Sequence, residues 1–226
     1  MIVAKVKSIC VFLYERFFLG IAGPRGGSIR PIIPTVMRKF SKKPITVLEV
    51  GARYGESSKI VLANFNVDRY IIVDPYEMYD DYAGDGFDKV LLNTGGDNVF
   101  NQTKKELTKI NQNVVFKRSF SDDSETLLSI LDDSLDLIYI DGNHTYDYVL
   151  ADLKNYWPKL KSGGVLCGDD FHMRHSQNDD LKTLAGDFDC KMVYEAVLDF
   201  CSQNDLLHES FGSHRGYPKT FGIFKK

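Results

Sequence analysis

The 226-residue sequence has few cysteines, no excess of positive charge and no long unbroken apolar run. Cys10, Cys167, Cys190 and Cys201 show no C-x-x-C spacing, so neither a disulfide framework nor a zinc cluster is expected, and a reducing cytoplasm fits best. Lys and Arg number 28 against 31 Asp and Glu, and this formal charge of -3 argues against nucleic acid as a partner. The apolar start of the chain is interrupted by Lys5, Lys7, Glu15 and Arg16, which excludes a membrane span and breaks the core a signal peptide needs. Three glycine signatures are also missing: G-x-G-x-x-G, G-x-x-x-x-G-K-[ST] and G-x-S-x-G. Their absence disfavours a bound dinucleotide, a P-loop and a hydrolase nucleophile elbow.

What is present is ordinary for a globular chain: 43% hydrophobic residues, including 15 Phe and 12 Tyr, enough for one sizeable core. Ile9, Phe12, Leu13 and Phe17 recur at helical spacing, which predicts an amphipathic N-terminal helix docked on the domain or on a second subunit, with a membrane-surface role as the rival. The stretch GPRGGSIRP (23–31) reads as a connector, dividing the chain into a helical extension over 1–43 and a main domain over 44–226.

From Ile45 onward, short β-rich runs alternate with helical patterns, the rhythm of an α/β parallel sheet with helices on both faces. ITVLEV (45–50), YIIVD (70–74), NVVFKR (113–118), LDLIYID (135–141) and GVLCGDD (164–170) read as strands apolar enough to be covered on both sides. Helices are predicted over 54–64, 97–111, 122–131 and 145–160, the last ended by Ser162-Gly163-Gly164. A helix near 178–186, a strand near 190–197 and a closing strand in YPKTFGIFK complete seven strands, the last antiparallel. The segment 75–96 is a long connection of the kind that is usually functional.

The first strand runs into Glu49-Val50-Gly51-Ala52-Arg53-Tyr54-Gly55-Glu56-Ser57, where the glycines permit a sharp bend and close approach of a ligand. Asp74 ends the second strand, where a carboxylate can accept both hydroxyls of a ribose, so a nucleoside site is expected. E-x-G-x-x-x-G-x-S, an acid ending the second strand, D-G-x-H-x-Y ending the fourth and L-K-S-G-G-V before the fifth together resemble class I S-adenosylmethionine-dependent methyltransferases. The likeness runs over about 44–226 and is strongest to the macrocin-type and other sugar O-methyltransferases. It implies a Rossmann-like, seven-stranded, mostly parallel sheet with an antiparallel last strand. It also implies that Glu49, Gly51, Gly55 and Ser57 surround the methionine part of the cofactor, Asp74 the ribose, and Ser119, Phe120 and Ser121 the adenine edge, with Asp141 nearby.

Asp141 ends the fourth strand and Asp169-Asp170 the fifth. Three neighbouring carboxylates repel one another unless a cation intervenes, and an all-oxygen set suits magnesium or manganese better than zinc. The resemblance supports this metal set, although Asp170 stands where the catechol-type relatives have Asn. His144 follows Asp141 by three residues at a helix start, where the helix field favours a neutral imidazole; with Asp141 it is the expected catalytic pair, His144 taking the proton of an acceptor hydroxyl. The acceptor is expected to be a small-molecule or glycan hydroxyl, with Tyr76, Tyr79 and Tyr82 from the 75–96 segment, His172, and His208, His214, Arg215 and Tyr217 from the 199–217 connection on the substrate side. A catechol or phenol O-methyltransferase is the alternative, and a nicotinamide-dependent oxidoreductase a more distant one.

Overall fold

The computed structural model describes residues 2–40, 43–78, 87–175, 187–188, 190–213 and 217–226. Its centre is built from the apolar runs: β1 (Ile45–Val50), β2 (Val67–Val73), β3 (Val114–Lys117), β4 (Leu135–Ile140) and β5 (Leu160–Gly168). These pair in parallel, and β8 (His208–Phe211) and β9 (Thr220–Phe224) add an antiparallel hairpin at one edge, giving the order β3-β2-β1-β4-β5-β9-β8. A separate two-stranded pair joins β6 (Arg174–His175) to β7 (Asp187–Phe188). The predicted α/β architecture, with seven strands and an antiparallel closing strand, is therefore present.

Strand residues alternate between two apolar layers because successive side chains leave a strand on opposite faces. Leu48, Val50, Ile71, Val73, Ile138, Ile140 and Leu166 lie in one layer, under Val149, Leu153 and Tyr156 of α7 (Tyr146–Tyr156) and Val193, Val197 and Phe200 of α8 (Val193–Gln203). Val47, Tyr70, Ile72, Leu137, Tyr139, Val165 and Cys167 lie in the other, under α3 (Glu56–Asn64), α5 (Gly96–Ile110) and the segment before β1. That segment contributes Ile21, Ile29, Ile32, Ile33 and Val36, all fully buried, so the stretch read as a connector shares its core with the sheet through α2 (Ile33–Phe40). Burial of each such side chain is worth about 1.5–3 kcal/mol.

Several local expectations are corrected. The 190–197 run forms no strand; it opens α8, because Val193, Ala196, Val197, Phe200 and Cys201 fall on one helical face and the Glu195 carboxylate accepts the Met192 N–H at 2.9 Å. The sixth sheet strand is instead 208–211, so His208 is a strand residue packed edge-on against Phe171 rather than part of a substrate loop. Ser162-Gly163-Gly164 does not cap a helix: α7 ends at Tyr156, a 3-10 turn carries Pro158, and the glycines lie within β5, where the register with β4 slips. The 75–96 connection contains α4 (Phe87–Thr94), and α6 (Ser124–Leu128) is shorter than its predicted 122–131. The expected 178–186 helix lies outside the described residues.

The N-terminal helix is present as α1 (Ile2–Phe17), yet its apolar stripe is not docked on its own domain. Of the four residues that set its period, Ile9, Leu13 and Phe17 are exposed and only Phe12 turns partly inward.

Candidate active site

Each parallel strand hands its last hydrogen bond to the residue just beyond it. Gly51 N–H donates to Val73 O (2.9 Å), Asp141 N–H to Val50 O (2.8 Å), Asp74 N–H to Lys117 O (3.1 Å) and Asp169 N–H to Ile140 O (3.2 Å). These four residues thus stand in a row at the carboxyl edge. Between β1 and β4 the connections run in opposite directions, which leaves the crevice where α/β sheets bind ligands. The crevice is a cavity of about 450 Å³, within the roughly 300–1,000 Å³ typical of small-molecule sites.

On the β1/β2 side donors of the protein itself hold the acids. The Glu49 carboxylate accepts from Ser58 Oγ and from Tyr70 Oη (2.8 Å), and complete burial, outweighing these bonds, pushes its pKa up to about 8. Asp74 accepts three backbone amides: Ala52 (2.8 Å) and Arg53 (2.9 Å) on one oxygen and Tyr76 (2.7 Å) on the other. Burial raises its pKa while those amides oppose the shift. Asp74 therefore fixes the glycine turn as well as facing the cavity. Gly51 is required there on two counts: its φ is +79°, and a Cβ would lie 2.1 Å from the Asp141 carbonyl oxygen. Gly55 (φ +71°) precedes α3 and packs against Leu107, so it shapes the turn without lining the cavity.

On the β4/β5 side the charged groups face one another. His144 Nε2 lies 3.6 Å from Asp141 Oδ1 and 3.4 Å from Asp170 Oδ2, and one ligand atom from each of the three residues falls within 4.8 Å of the others. Burial lowers the imidazole pKa, but the Asp141 contact and the fields of Asp170, Asp141 and Asp169 prevail and raise it to about 9. The neighbouring acids thus oppose the helix field, which by itself favours a neutral imidazole. Asp141 is itself raised by burial and also accepts from Ser28 Oγ at 2.7 Å. Asp169 departs from the expected triad. It lies beside Thr220 Oγ1 (3.4 Å) and Lys219 Nζ (3.7 Å), and burial, with repulsion from Asp170 and Asp141, raises its pKa well above the usual carboxylate range. It lines the same cavity, but His144 takes its place in the cluster.

The remaining site residues divide. Ser57 lines the cavity, and its Oγ lies 3.2 Å from that of Ser28. Ser121 lines it too, whereas Ser119 bonds Thr126 (2.7 Å) and Phe120 is surface-exposed, and neither is among the lining residues. His172 is buried beside the cluster, its Nδ1 3.6 Å from Asp170 Oδ1. Tyr76 does not face a substrate: a positive φ of 53° after Pro75 turns it into a small apolar cluster with Leu91, Val99 and Phe100. Tyr217 stacks under the Arg174 guanidinium (4.6 Å). Tyr79, Tyr82, His214 and Arg215 lie outside the described residues.

Two contributors were missed from sequence. Gly26, Gly27 and Ser28 line the cavity, and the Ser28 hydroxyl also meets Tyr139 Oη at 2.6 Å. The Gly-Gly-Ser triplet was the available signal, read only as a linker. Asn143 is buried, with Oδ1 accepting from Thr145 N and Oγ1 (both 3.0 Å), while its buried Nδ2 has no partner at the cavity wall. An unsatisfied buried donor, a glycine-lined crevice and a ribose-competent acid suit a polar nucleoside ligand.

A family profile described as "Methyltransferase domain" matches residues 48–171. An uncharacterised protein of Acanthamoeba polyphaga mimivirus is 24% identical over 140 residues, covering 62% of this chain and 58% of that protein, so the chain spans less than two thirds of this relative's length. Among solved structures, a candidate caffeoyl-CoA O-methyltransferase from Staphylococcus aureus superposes with TM-score 0.55 at 14% identity, covering 85% of this chain and 80% of its own. A candidate rRNA methylase from Clostridium thermocellum gives TM-score 0.53 at 14% identity, covering 84% and 92%. A candidate O-methyltransferase from Klebsiella pneumoniae gives 0.54 at 13%, covering 85% and 77%. At these identities the structural likenesses establish the fold, while the profile covers more than half of the chain: it belongs to the methyltransferase-domain family.

Proposed function

We propose that the protein is an O-methyltransferase that acts on a hydroxyl of a sugar or glycan with the help of a divalent cation. The observation that carries the cation is the convergence of Asp141, His144 and Asp170 within 4.8 Å. Two carboxylates that close are costly unless a cation or proton offsets them, and their oxygens suit magnesium or manganese. Asp141 and Asp170 would hold the ion, which would orient the acceptor hydroxyl and lower its pKa. The cofactor supplies an electrophilic methyl group on a sulfonium. Glu49, Gly51, Ser57 and Asp74 would bind it at the β1/β2 side, with Ser121 at its adenine edge. The acceptor oxygen forms the new C–O bond as the C–S bond breaks, and its proton passes to His144 Nε2. A cation held by Asp141 and Asp170 would offset the field that raises the His144 pKa and leave the imidazole competent as a base.

A second reading is favoured by the same cluster: His144 is the third ligand, an imidazole that shifts preference from magnesium toward manganese. The two separate cleanly. If His144 is the base, His144→Ala keeps manganese affinity and loses turnover; if it is a ligand, affinity falls with turnover. The sugar acceptor rests on the motif likeness to sugar O-methyltransferases and on an imidazole placed to deprotonate a weakly acidic hydroxyl. Methyl transfer to a panel of glycosides and catechols tests it: turnover on glycosides supports the reading, and turnover confined to catechols replaces it with a phenol-type enzyme.

A further inference from the structure

Among the described residues, Arg30 is the buried anchor of helix α1. Arg30 places its guanidinium 5.0 Å from the Phe12 ring centroid, pairs with Glu15 at 2.7 Å and donates to the Pro24 carbonyl at 3.0 Å. Everything else described along the helix and just after it faces outward: Ile9, Val11, Leu13, Tyr14, Phe17, Phe18 and Leu19 are exposed, Phe17 to 74% and Phe18 to 79%. Ile9, Leu13 and Phe17 follow one another at four-residue steps, with Tyr14 stacked on Phe18 beside them (5.4 Å). A contiguous apolar band of this kind marks an interaction site.

Charge identifies the occupant. Residues 1–43 carry nine basic side chains (Lys5, Lys7, Arg16, Arg25, Arg30, Arg38, Lys39, Lys42, Lys43) and one acidic (Glu15), net +8. Subtracting these from the chain totals of 28 and 31 leaves 19 basic and 30 acidic for residues 44–226, net -11. The one acid of the segment is already taken by Arg30, whereas Arg16, Arg25, Arg38, Lys39 and Lys43 are not buried against the core and Arg16, Arg25, Arg38 and Lys39 are exposed. An isologous pairing of two such segments would bring +8 against +8. A polyanionic RNA would match the charge but not the aliphatic and aromatic band. A surface that is both apolar and anionic satisfies both.

We propose that α1 and the basic segment behind it form a docking surface for an anionic lipid bilayer, with the apolar band in the headgroup boundary and the basic side chains on the lipid phosphates. At 16 residues, or about 24 Å, α1 lies in the interface and does not span it. No described helix is long and apolar enough to cross a membrane. Each basic side chain near the surface strengthens binding roughly fivefold, and the body's negative charge would orient the sheet away from the lipid.

Flotation of the full chain with vesicles tests this independently of the methyl acceptor. Binding is expected to equimolar phosphatidylcholine and phosphatidylglycerol, not to phosphatidylcholine alone, and should weaken with added salt. The pair Phe17→Ser and Phe18→Ser should reduce it by about tenfold or more, and Arg38→Gln with Lys39→Gln by several-fold, with melting temperature and cofactor affinity unchanged because these side chains are exposed. Equal binding to neutral vesicles, no binding to either, or indifference to both pairs of substitutions would overturn the proposal. So would a dimer in sedimentation velocity that the Phe17/Phe18 substitutions dissolve, or displacement of the protein from vesicles by RNA.

Discussion

The two halves of the carboxyl edge use the same residue type to opposite ends. On the β1/β2 side, both oxygens of Asp74 accept backbone amides, and Glu49 Oε2 accepts two hydroxyls of the protein itself. On the β4/β5 side, Asp141 and Asp170 confront each other across an imidazole at 3.4–3.6 Å, and the Ser28 hydroxyl donates to Asp141. Satisfied acids build a rigid cradle, since removing their partners would leave buried groups unpaired. Acids left facing one another store electrostatic cost that a cation or a proton in transit relieves. On the proposed reading, the first half holds the cofactor and the second carries the chemistry.

Asp141→Ala is the sharpest way to break the comparison. It should lower the maximal rate by about 10²–10⁴-fold while calorimetric affinity for S-adenosylhomocysteine changes only a few-fold. Equal loss of both would mean that the halves are not separable. Asp74→Ala should do the reverse. Three amides lose their acceptor, at about 1–3 kcal/mol for each buried group left unmet, and the rise in melting temperature with the cofactor should largely vanish; a full rise in the variant would return Asp74 to a purely structural role.

Addition of magnesium or manganese sharpens the contrast from the other side. Ligands of the folded state stabilise it by mass action, so a saturating cation should raise the melting temperature by several degrees, in wild type and in Asp74→Ala but not in Asp141→Ala. A rise that persists in Asp141→Ala would place the ion elsewhere.

The smallest effect concerns Glu49. Its pKa is raised to about 8 in the folded chain from 4.5, so the folded state binds the proton more tightly than the unfolded one. The associated stability is complete at low pH, declines as pH rises above 4.5 and is gone above 8. Glu49→Gln imitates the protonated form. It should match wild type near pH 4.5 and be the more stable of the two above pH 8. A variant less stable at every pH would show that the Ser58 and Tyr70 bonds need the carboxylate.

Residues close in sequence were legible in advance. The five parallel strands announce themselves as apolar runs because a sheet covered on both faces has no polar side. Glycine-bearing turns and acids one step past each strand follow from chain order alone, which is why Gly51, Asp74 and Asp141 were found without coordinates. The misreading of 190–197 has the same root: over eight residues a run holding Val193, Tyr194 and Val197 fits a strand, and only Phe200 and Cys201 reveal the helical period.

What the sequence by itself determined is the strand rhythm, the antiparallel closing strand and the set of acids at the carboxyl edge, because each depends on local pattern and spacing. Only the tertiary structure decided how those acids pair. His144 enters the cluster in place of Asp169, Ser28 reaches Asp141 across 113 positions, and Tyr76 turns inward. Such choices depend on where distant segments cross and which polar atoms their burial leaves to be satisfied, and no window of sequence contains that information.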